Sequence, residues 1–550
     1  MTKVKSFLAL VLALTLVVAC VPSVAGASSA ASTVRIGQSS EVANLNPMLQ
    51  PRTPDSNVQN LIFSYLVVPD ENLNFVGDLA TSWDISDDGL TYTFHLRNDA
   101  TWHDGEPFTA ADVVFTFTSL AAPGYTGGAE NRVLGLKGAP AYQAGEADSI
   151  EGLSAPDDYT VVFELSEVNA AFLSNMYTAI LPKHVLENED PSEWANDDFN
   201  RAPIGTGKYK FVEWKSGQYI SLTRNDSYFG AHPSIENVIV QFGADTTLVA
   251  ALINGEIDVL YGLPASEMET VEAMPNIGYY SSPALSVYYI GLNQLVESLS
   301  DLRIRQALAY ALDKETLVDT LFGSEVAYVA DDIFPANHWS HADDVQTYAF
   351  DPEKAKALIE EAGYTMGGSG IYEKDGKPLH LTFDVAESST VSAMSALIQQ
   401  MWKAVGIDCE IISQDFSTLA YTKLFPSDSD GNPRYVTADD FMMYTLGFGV
   451  EVDPNEYNEY LSTAKGPGSW NFISYSNPTV DELFAKQLVQ TNPEERAATF
   501  HEIAKIISQD IPWIPLYGKN NVEGVSNRVQ NYVADFRGIT FQIEKWSLAE

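Results

Sequence analysis

The sequence predicts an α/β fold whose mixed sheets are flanked by helices. The clearest indication is the stretch 79–117, where Tyr92, Phe94 and Leu96 alternate with polar residues, as expected of a strand with one buried face. A second indication is the alternation of helical and strand patterns over 351–413, which is typical of a sheet covered by helices. The chain is also long: 550 residues are enough for two or more domains.

The stretch 79–117 predicts a strand, a loop and a helix in close succession. The strand covers 91–97 and lies between the turn sequences SDDG, which precedes it, and DG, which follows it. Thr109 can then cap a helix, because Asp112 stands three residues later and completes a capping-box pattern.

The remaining elements follow from the same local signals. Strand patterns occupy 34–36, 160–165, 219–224, 379–385 and 407–413, and longer extended segments occupy 281–293 and 512–516. Helical patterns occupy 301–313, 351–363, 392–405 and 492–509. Asp351 and Asn492 each precede a proline, which is a typical helix start.

The composition is strongly acidic. The chain has 74 Asp and Glu residues against 31 Lys and Arg, a formal net charge of −43. A field of this sign repels nucleic acid and anionic lipid, so we expect no nucleic-acid partner. An acidic surface maintains solubility, and a saline habitat is a further hypothesis. Two cysteines, Cys20 and Cys409, do not make a disulfide scaffold.

The N-terminus has the pattern of a secretory signal. Lys3 and Lys5 precede an apolar run over 7–18 that is too short for a comfortable membrane span. In the first interpretation, residues 1–20 form the signal peptide, which ends in a sequence that resembles a bacterial lipobox. Cys20 is then the lipidated N-terminus.

In that interpretation residues 21–33 form a flexible tether, and a lipid anchor is the link to the membrane. The alternative is ordinary cleavage after Ala27. No later segment is apolar enough to span a bilayer. Both interpretations predict an exported protein, either a cell-surface lipoprotein or a periplasmic one.

Several motifs carry a resemblance to a known family. Residues 79–97 match LA-x-SW-x-x-S-x-DG-x-x-Y-x-F-x-LR, and 103–113 match HDG-x-P-x-TA-x-DV. Residues 203–211 match P-x-GTG-x-Y-x-F, and 301–313 match D-x-R-x-RQAL-x-YA-x-D. On these motifs the chain resembles the family 5 extracellular solute-binding proteins, the peptide- and nickel-type binding components of ABC importers.

The resemblance implies a two-lobed fold like that of the periplasmic binding proteins. The two extended segments then become hinge crossovers between the lobes. The implied domains are lobe I at 34–75, 200–280 and 512–550, a subdomain inserted into lobe I at 76–199, and lobe II at 281–511.

The resemblance also places an acid in the ligand-binding cleft. In relatives Gly-Trp is followed by an acid and then by Asp-Pro, and in peptide-binding members the acid pairs with the α-amino group of the peptide. Here 447–454 reads GFGVEVDP. Phe448 stands where Trp is usual, and both Glu451 and Asp453 are candidates for the acid.

Other candidate ligand-binding residues come from the same resemblance. The loop after the first strand often faces the cleft in relatives. The sequence GSWNF at 468–472 also matches the family, and in relatives the loop before it lines the cleft. Two further aromatic residues complete the set. The candidates are Gln38, Ser39, Glu41, Trp470, Asn471, Phe472, Phe416 and Tyr289.

Catalytic and metal-binding motifs have little support. Gly207-Lys208 is not a phosphate loop, because Tyr209 stands where Ser or Thr is required. The i, i+3 pair His338 and His341 lacks a third ligand at suitable spacing. The turn DSDGN at 428–432 does not have the spacing of a calcium loop. We therefore predict no metal, no cofactor and no catalytic residue.

These observations predict a binding protein that is not an enzyme. We expect a monomeric receptor that captures a small solute, in the first place a peptide, between two lobes and delivers it to an ABC import permease. The alternatives within this class are a nickel chelate or an oligosaccharide as ligand. The alternative from another class is a secreted hydrolase, since a glycosidase needs only two carboxylates.

Overall fold

The computed structural model describes residues 32–456 and 459–549. The predicted signal peptide 1–20, the lipidation site Cys20 and most of the predicted tether 21–33 lie outside the described residues.

The strands are β1 Thr33–Gln38, β2 Val67–Pro69, β3 Phe75–Gly77, β4 Ala80–Ile85, β5 Thr91–Leu96, β6 Leu153–Asp157, β7 Thr160–Glu164, β8 Tyr209–Lys215, β9 Tyr219–Arg224, β10 Asn237–Phe242, β11 Val259–Tyr261, β12 Ile277–Leu292, β13 Ala327–Val329, β14 Thr365–Met366, β15 Tyr372–Lys374, β16 Lys377–Pro378, β17 His380–Ala386, β18 Asp408–Gln414, β19 Met443–Gly449, β20 Trp513–Ser526, β21 Val529–Gln530 and β22 Ser547–Leu548.

The helices are α1 Thr53–Ile62, α2 Ala110–Leu120, α3 Asn131–Leu134, α4 Ala139–Gln143, α5 Phe172–Asn175, α6 Lys183–Leu186, α7 Asp245–Ile253, α8 Met268–Glu272, α9 Glu297–Ser300, α10 Leu302–Tyr310, α11 Lys314–Leu321, α12 Pro352–Glu361, α13 Ser389–Ala404, α14 Phe416–Thr418, α15 Pro478–Leu488 and α16 Pro493–Asp510. Short 3-10 segments and one π-helical segment, Leu419–Leu424, connect them.

One mixed sheet runs through the molecule. Its eleven strands follow the order β18-β17-β19-β12-β20-β11-β1-β10-β9-β8, with β13 added on β20. β1 is parallel to both β10 and β11, and β17 is parallel to β18 and β19, whereas β12 and β20 are antiparallel. The predicted α/β class with mixed sheets is confirmed.

The buried side chains fall into two sets that define the lobes. Two clusters draw on residues 34–277 and 522–546, and we call that part lobe I. Two other clusters draw on residues 285–517, and we call that part lobe II. The predicted residue boundaries of the domains stay a prediction.

The two long strands β12 and β20 are the link between the lobes. They pair from Ile277 to Pro283 and again from Val287 to Gly291, and the register shifts between Pro283 and Val287. Both extended segments of the sequence therefore lie in these strands. β20 runs further than the sequence predicted, because its later part pairs with β11 in lobe I.

A separate four-stranded sheet, β4-β5-β7-β6, lies within the segment 76–199. Phe94 and Phe163 point from this sheet into the same buried cluster as Phe117 of α2. The segment thus has its own hydrogen-bonded sheet but shares the core of lobe I. Its standing as an inserted subdomain stays a prediction.

The cap residues that the sequence indicated start their helices. The Asp112 carboxylate accepts the Thr109 backbone N–H at 2.9 Å at the start of α2. Asp351 accepts the N–H of Lys354 at 2.9 Å at the start of α12. The helix predicted over 301–313 is confirmed as α10, which ends three residues earlier, at Tyr310, before Asp313 caps α11.

Candidate ligand-binding cleft

A cleft lies where lobe I faces the loop after β19 in lobe II. It consists of two adjoining cavities, of about 470 Å³ and about 420 Å³. The first reaches the hinge strand at Leu285, and the second extends along the segment 127–131. Six residues line both cavities and form the neck between them: Pro47, Pro51, Arg132, Tyr177, Glu451 and Val452.

The backbone around Glu451 is held firmly by lobe II. The N–H of the residue before it donates to the Leu285 carbonyl at 2.7 Å. His338 Nε2 donates to the Glu451 carbonyl at 3.0 Å, and Trp339 Nε1 donates to the next carbonyl at 2.9 Å. These backbone groups are thus hydrogen-bonded within lobe II, and the exposed Glu451 side chain is directed into the neck.

His338 has a structural function in this arrangement. Burial lowers the pKa of His338 to about 4, so the ring is neutral at physiological pH. Its Nδ1 accepts the backbone N–H of Ser340 at 3.2 Å. Within 32–456 and 459–549, no three His, Cys, Asp or Glu side chains are grouped to hold a metal ion.

Asp453, the other candidate acid, is an ion-pair partner within lobe II. Its carboxylate is bidentate with the Arg496 guanidinium, with Nη2 to Oδ1 at 2.8 Å, and both side chains are more than nine-tenths buried. Arg496 Nε also donates to Gln487 at 2.9 Å. Asp453 lines the second cavity, but its charge is already compensated, so a ligand amine would compete with Arg496 for it.

Glu451 has no such partner. Its carboxylate makes no ion pair or hydrogen bond with any side chain that the structure describes. Tyr177 lines the same neck from lobe I, and burial together with the negative charge of Glu451 raises the pKa of Tyr177 to about 12. Of the two acids, Glu451 is the one free to bind a cation.

Arg132 brings a positive charge to the same neck from lobe I. Its Nη1 donates to the Thr178 hydroxyl at 2.6 Å and to the Tyr177 carbonyl at 3.3 Å. The guanidinium forms no ion pair with a described carboxylate, and it lines both cavities. The neck therefore offers one acid from lobe II and one cation from lobe I.

Aromatic and amide side chains complete the lobe I wall. Tyr65 packs on Tyr177 with ring centroids 4.8 Å apart, and its hydroxyl donates to Asn60 at 2.6 Å. Asn57 also lines the first cavity. These groups can pack on a ligand chain and hydrogen-bond to it.

The three candidates after β1 serve lobe I rather than the cleft walls. Gln38 is buried and its amide donates to the Ser40 carbonyl at 3.1 Å. Glu41 accepts the N–H of Gly217 at 3.0 Å, and this bond and those from Trp214 and Ser216 lower its pKa. Gln38, Ser39 and Glu41 are absent from the described walls of both cavities.

Tyr289 and Phe448 pack in lobe II. Tyr289 is 2% exposed and stacks on Trp513, with centroids 3.6 Å apart and planes 8° apart. Phe448 lies 6.2 Å from the same indole. Neither lines the cavities as described, so their ligand contact has no support beyond the resemblance.

The remaining candidates are divided between the core and the surface. Asn471 donates to the carbonyls of Leu461 and Tyr475, both at 2.9 Å, which fixes the local loop, and Phe472 is buried. Trp470 and Phe416 are 50% and 60% exposed. None of these four belongs to the described walls of the cavities.

Sequence reasoning missed the lobe I side of the neck. Arg132 and Tyr177 belong to short helices and loops without a motif, and they meet Glu451 only through the packing of the two lobes. The sequence carries no signal for Arg132, because Glu130 stands two residues before it and makes the arginine look like an ordinary surface charge.

Comparison with known proteins identifies the family. The model of the bacterial extracellular solute-binding proteins, family 5, matches residues 74–470. A putative ABC transporter peptide-binding protein of Brucella melitensis is 32% identical, with 89% of this chain and 88% of the relative covered.

The chain belongs to family 5. The oligopeptide-binding protein AppA of Bacillus subtilis is 29% identical, with 94% of this chain and 91% of AppA covered. The solved structure of AppA with a nonapeptide has a TM-score of 0.73 and 28% identity and covers 94% of this chain and 99% of that one. NikZ of Campylobacter jejuni, solved with Ni(L-His), has a TM-score of 0.75 at 27% identity and covers 94% and 99%.

Family 5 membership confirms the predicted two-lobed fold class. The relatives are binding proteins by their descriptions, and the family is described as extracellular. In the described part of the chain, no helix combines the length and the apolar character needed to cross a membrane.

Proposed function

We propose that this protein captures peptides in the cleft between its lobes and delivers them to an ABC import permease. The observation that carries the proposal is the carboxylate of Glu451, which has no partner among the described side chains and is held on a fixed loop opposite Arg132. A carboxylate in a partly desolvated cleft favours a charged, hydrogen-bonded partner, and the α-ammonium group of a peptide is such a partner.

Arg132 supports a ligand with an acceptor near its ammonium group. In a peptide the first carbonyl groups lie close to the amino terminus, and a guanidinium donates well to such oxygens. The second cavity beyond the neck leaves room on the other side of Glu451. A ligand longer than a single amino acid therefore fits the cleft best.

The relatives favour peptides over other ligands. AppA is described as oligopeptide-binding and was solved with a nonapeptide, and the Brucella relative is named as a peptide-binding protein of an ABC transporter. NikZ was solved with a nickel chelate, which makes such a chelate the alternative ligand. A hydrolase is not favoured, because these relatives are described as binding proteins.

Closure of the lobes is the proposed mechanism. Ligand contacts both Glu451 of lobe II and the wall of lobe I, so it binds better when the lobes approach each other. Such a difference in affinity shifts the population toward the closed form. The register shift between Pro283 and Val287 supplies a place for the bending.

The remaining parts of the proposal follow the sequence. We place the lipid anchor at Cys20 and infer that the mature protein is a monomer. We also propose the boundaries 34–75 with 200–280 and 512–550 for lobe I, 76–199 for the inserted subdomain, and 281–511 for lobe II.

The first experiment identifies the natural ligand. The purified mature protein is denatured, and the released small molecules are analysed by mass spectrometry. Peptides of mixed sequence are the expected result. A nickel chelate or a sugar, with no peptide, would replace the peptide proposal and keep only the transport function.

The second experiment tests Glu451. Calorimetry compares tetra-alanine with N-acetylated tetra-alanine on the wild type, Glu451→Gln, and the control Glu353→Gln, an exposed acid of α12. Removing the charged pair should weaken binding of the free peptide about 10- to 100-fold, because such a bond is worth about 1.5–3 kcal/mol. Acetylation should have no further effect in Glu451→Gln. Equal binding of both peptides to the wild type would contradict the pairing.

A further inference from the structure

A third cavity, of about 370 Å³, lies in lobe I directly behind the wall of the cleft. Five residues line both this cavity and the first cavity of the cleft: Asn60, Tyr65, Pro69, Tyr177 and Arg537. Its other walls come from the β2–β3 hairpin, the loop before β8 and the C-terminal segment. We call it the rear cavity. The rear cavity and the first cavity of the cleft therefore adjoin at these five residues.

The cations on the described walls of the rear cavity already have partners. Lys208 Nζ lies 2.7 Å from the Glu544 carboxylate. Arg537 Nε lies 2.6 Å from Asp535, and its guanidinium stacks over the Phe541 ring at 3.8 Å. These two positive charges are therefore neutralised within lobe I.

Three acids on the described walls of this cavity form no ion pair with a described residue: Asp70, Glu71 and Asp78. Glu71 is exposed on the hairpin turn, whereas burial disfavours the charge of Asp78. Its Oδ2 accepts the backbone N–H of Tyr65 at 2.9 Å, and it forms no ion pair with a described residue. The nearby Arg97 forms an ion pair with Asp99, with Nε to Oδ1 at 2.7 Å. Its hydrogen bond to Asp78 goes to the backbone carbonyl and not to the carboxylate. Asp70, on the rim, accepts two backbone N–H groups and stabilises the hairpin.

The surroundings of Asp78 suit a positively charged ligand group. Asp78 is partly buried, and this desolvation raises its pKa to about 6. The rings of Phe63, Tyr177 and Tyr228 line the same space. Aromatic rings attract organic cations, and a buried carboxylate gains most from a partner that brings its own charge.

We propose that the rear cavity binds an alkylammonium or guanidinium group, with Asp78 as its ion-pair partner. The group belongs to a lysine or arginine side chain of the peptide in the cleft, and in this respect the inference rests on the proposed function. A free organic amine has the same chemistry and is the other source of the cation. At one position of the peptide, the site therefore selects a positively charged side chain.

The test uses tetra-alanine and two peptide series, in which lysine or norleucine replaces each alanine in turn. Norleucine has a similar apolar chain without the ammonium group. Calorimetry at pH 7.5 should show at least tenfold tighter binding for lysine than for norleucine at one position. Asp78→Asn should abolish this preference and leave the affinity for tetra-alanine unchanged. The matched control Asp84→Asn, an acid on β4 with a 79% exposed side chain, should keep the preference.

A second arm distinguishes the source of the cation. If a free amine occupies the cavity, n-butylammonium should raise the melting temperature of the wild type but not of Asp78→Asn. No lysine preference together with no Asp78-dependent effect of n-butylammonium would overturn the inference, while peptide binding itself would stand. If no peptide binds, the proposed function fails, and the n-butylammonium arm alone decides whether the cation site exists.

The pH dependence provides a readout that a structural defect would not reproduce. Six charged residues line the cavity or act on Asp78: Lys208, Arg97, Arg537, Glu544, Asp70 and Glu71. Burial raises the pKa of the three tyrosines that face it, so these phenols stay neutral: Tyr65, Tyr177 and Tyr228. Protonation of Asp78 should reduce the lysine preference roughly tenfold between pH 7.5 and pH 5. The comparison with norleucine cancels changes at the peptide termini. A preference that is constant over this range would count against Asp78.

Discussion

Asp78 and Asp453 show how the environment decides what a buried carboxylate does. Asp453 is bidentate with Arg496, and both are fixed by further hydrogen bonds. Asp78 accepts one backbone N–H and has no described ion-pair partner. The first acid stabilises a loop, because its charge is compensated. The second is held at a cost to stability, which is the usual mark of a functional group.

The raised pKa of Asp78 predicts the sign of a change in the free energy of unfolding. The pKa of Asp78 is about 6 in the folded protein, above the ordinary value of 3.8, so ionisation destabilises the fold as pH rises through this interval. Asp78→Asn keeps an acceptor for the Tyr65 N–H and removes the charge. We expect its free energy of unfolding to rise by up to about 3 kcal/mol at pH 7, with little change near pH 4.

Urea unfolding at the two pH values measures this difference. Asp84→Asn is the control, because its exposed carboxylate contributes little. Stability of Asp78→Asn equal to or below that of the wild type at pH 7 would contradict the assignment of an unpaired buried charge. If the assignment is correct, Asp78→Asn gains stability and loses the lysine preference. A misfolded variant cannot show both effects.

The sequence was least informative about the individual residues of the site. It narrowed the cleft acid to Glu451 or Asp453 but could not choose, because the choice depends on Arg496, which lies 43 residues further along the chain. It missed Arg132 for the same reason. Ion pairs and cavity walls depend on long-range packing, and no spacing in the sequence records it.

At the scale of elements, local signals predicted most of the fold. α2, α12 and α16 begin where their cap residues indicated, because a capping side chain acts within its own turn. Two bounds differ from the prediction. β20 continues to Ser526 because a distant partner, β11, pairs with it, and α10 ends at Tyr310 rather than at 313.

The β12–β20 pair allows a test of where the hinge lies. Regular pairing is interrupted at Ala284 and Leu285, between Pro283 and Val287, and both residues line the cleft. Backbone amides outside regular pairing open more easily. We expect faster amide hydrogen exchange at Ala284 and Leu285 than over 289–291, and slower exchange at these two residues when a peptide holds the lobes together.

Hydrogen exchange with residue resolution, with and without tetra-alanine, measures both effects. The flank 277–282 is the internal control, since it pairs regularly with β20 in lobe I. Uniform protection along the whole of β12 would contradict a hinge at this position. Closure would then require bending elsewhere in the molecule.

The property of the whole molecule that needs a physical account is its charge. With 74 acidic and 31 basic residues, most carboxylates have no basic partner, and the resulting field opposes compaction. Several of the basic residues are also used inside the fold, as Arg496 and Arg528 are with Asp453 and Asp258. Each such pair removes one charge of either sign and leaves the formal net charge of −43 unchanged.

Salt should relieve this repulsion. The Debye length falls from about 10 Å at 0.1 M to about 3 Å at 1 M salt, so exposed like charges are largely screened. We expect the melting temperature to rise by about 5 °C between 0.1 M and 1 M NaCl, as a relief of a few kcal/mol implies. Potassium chloride should have the same effect if screening is the cause, whereas a specific sodium site would separate the two salts. A melting temperature indifferent to both would remove the hypothesis of a saline habitat and leave the acidic surface as a means of solubility.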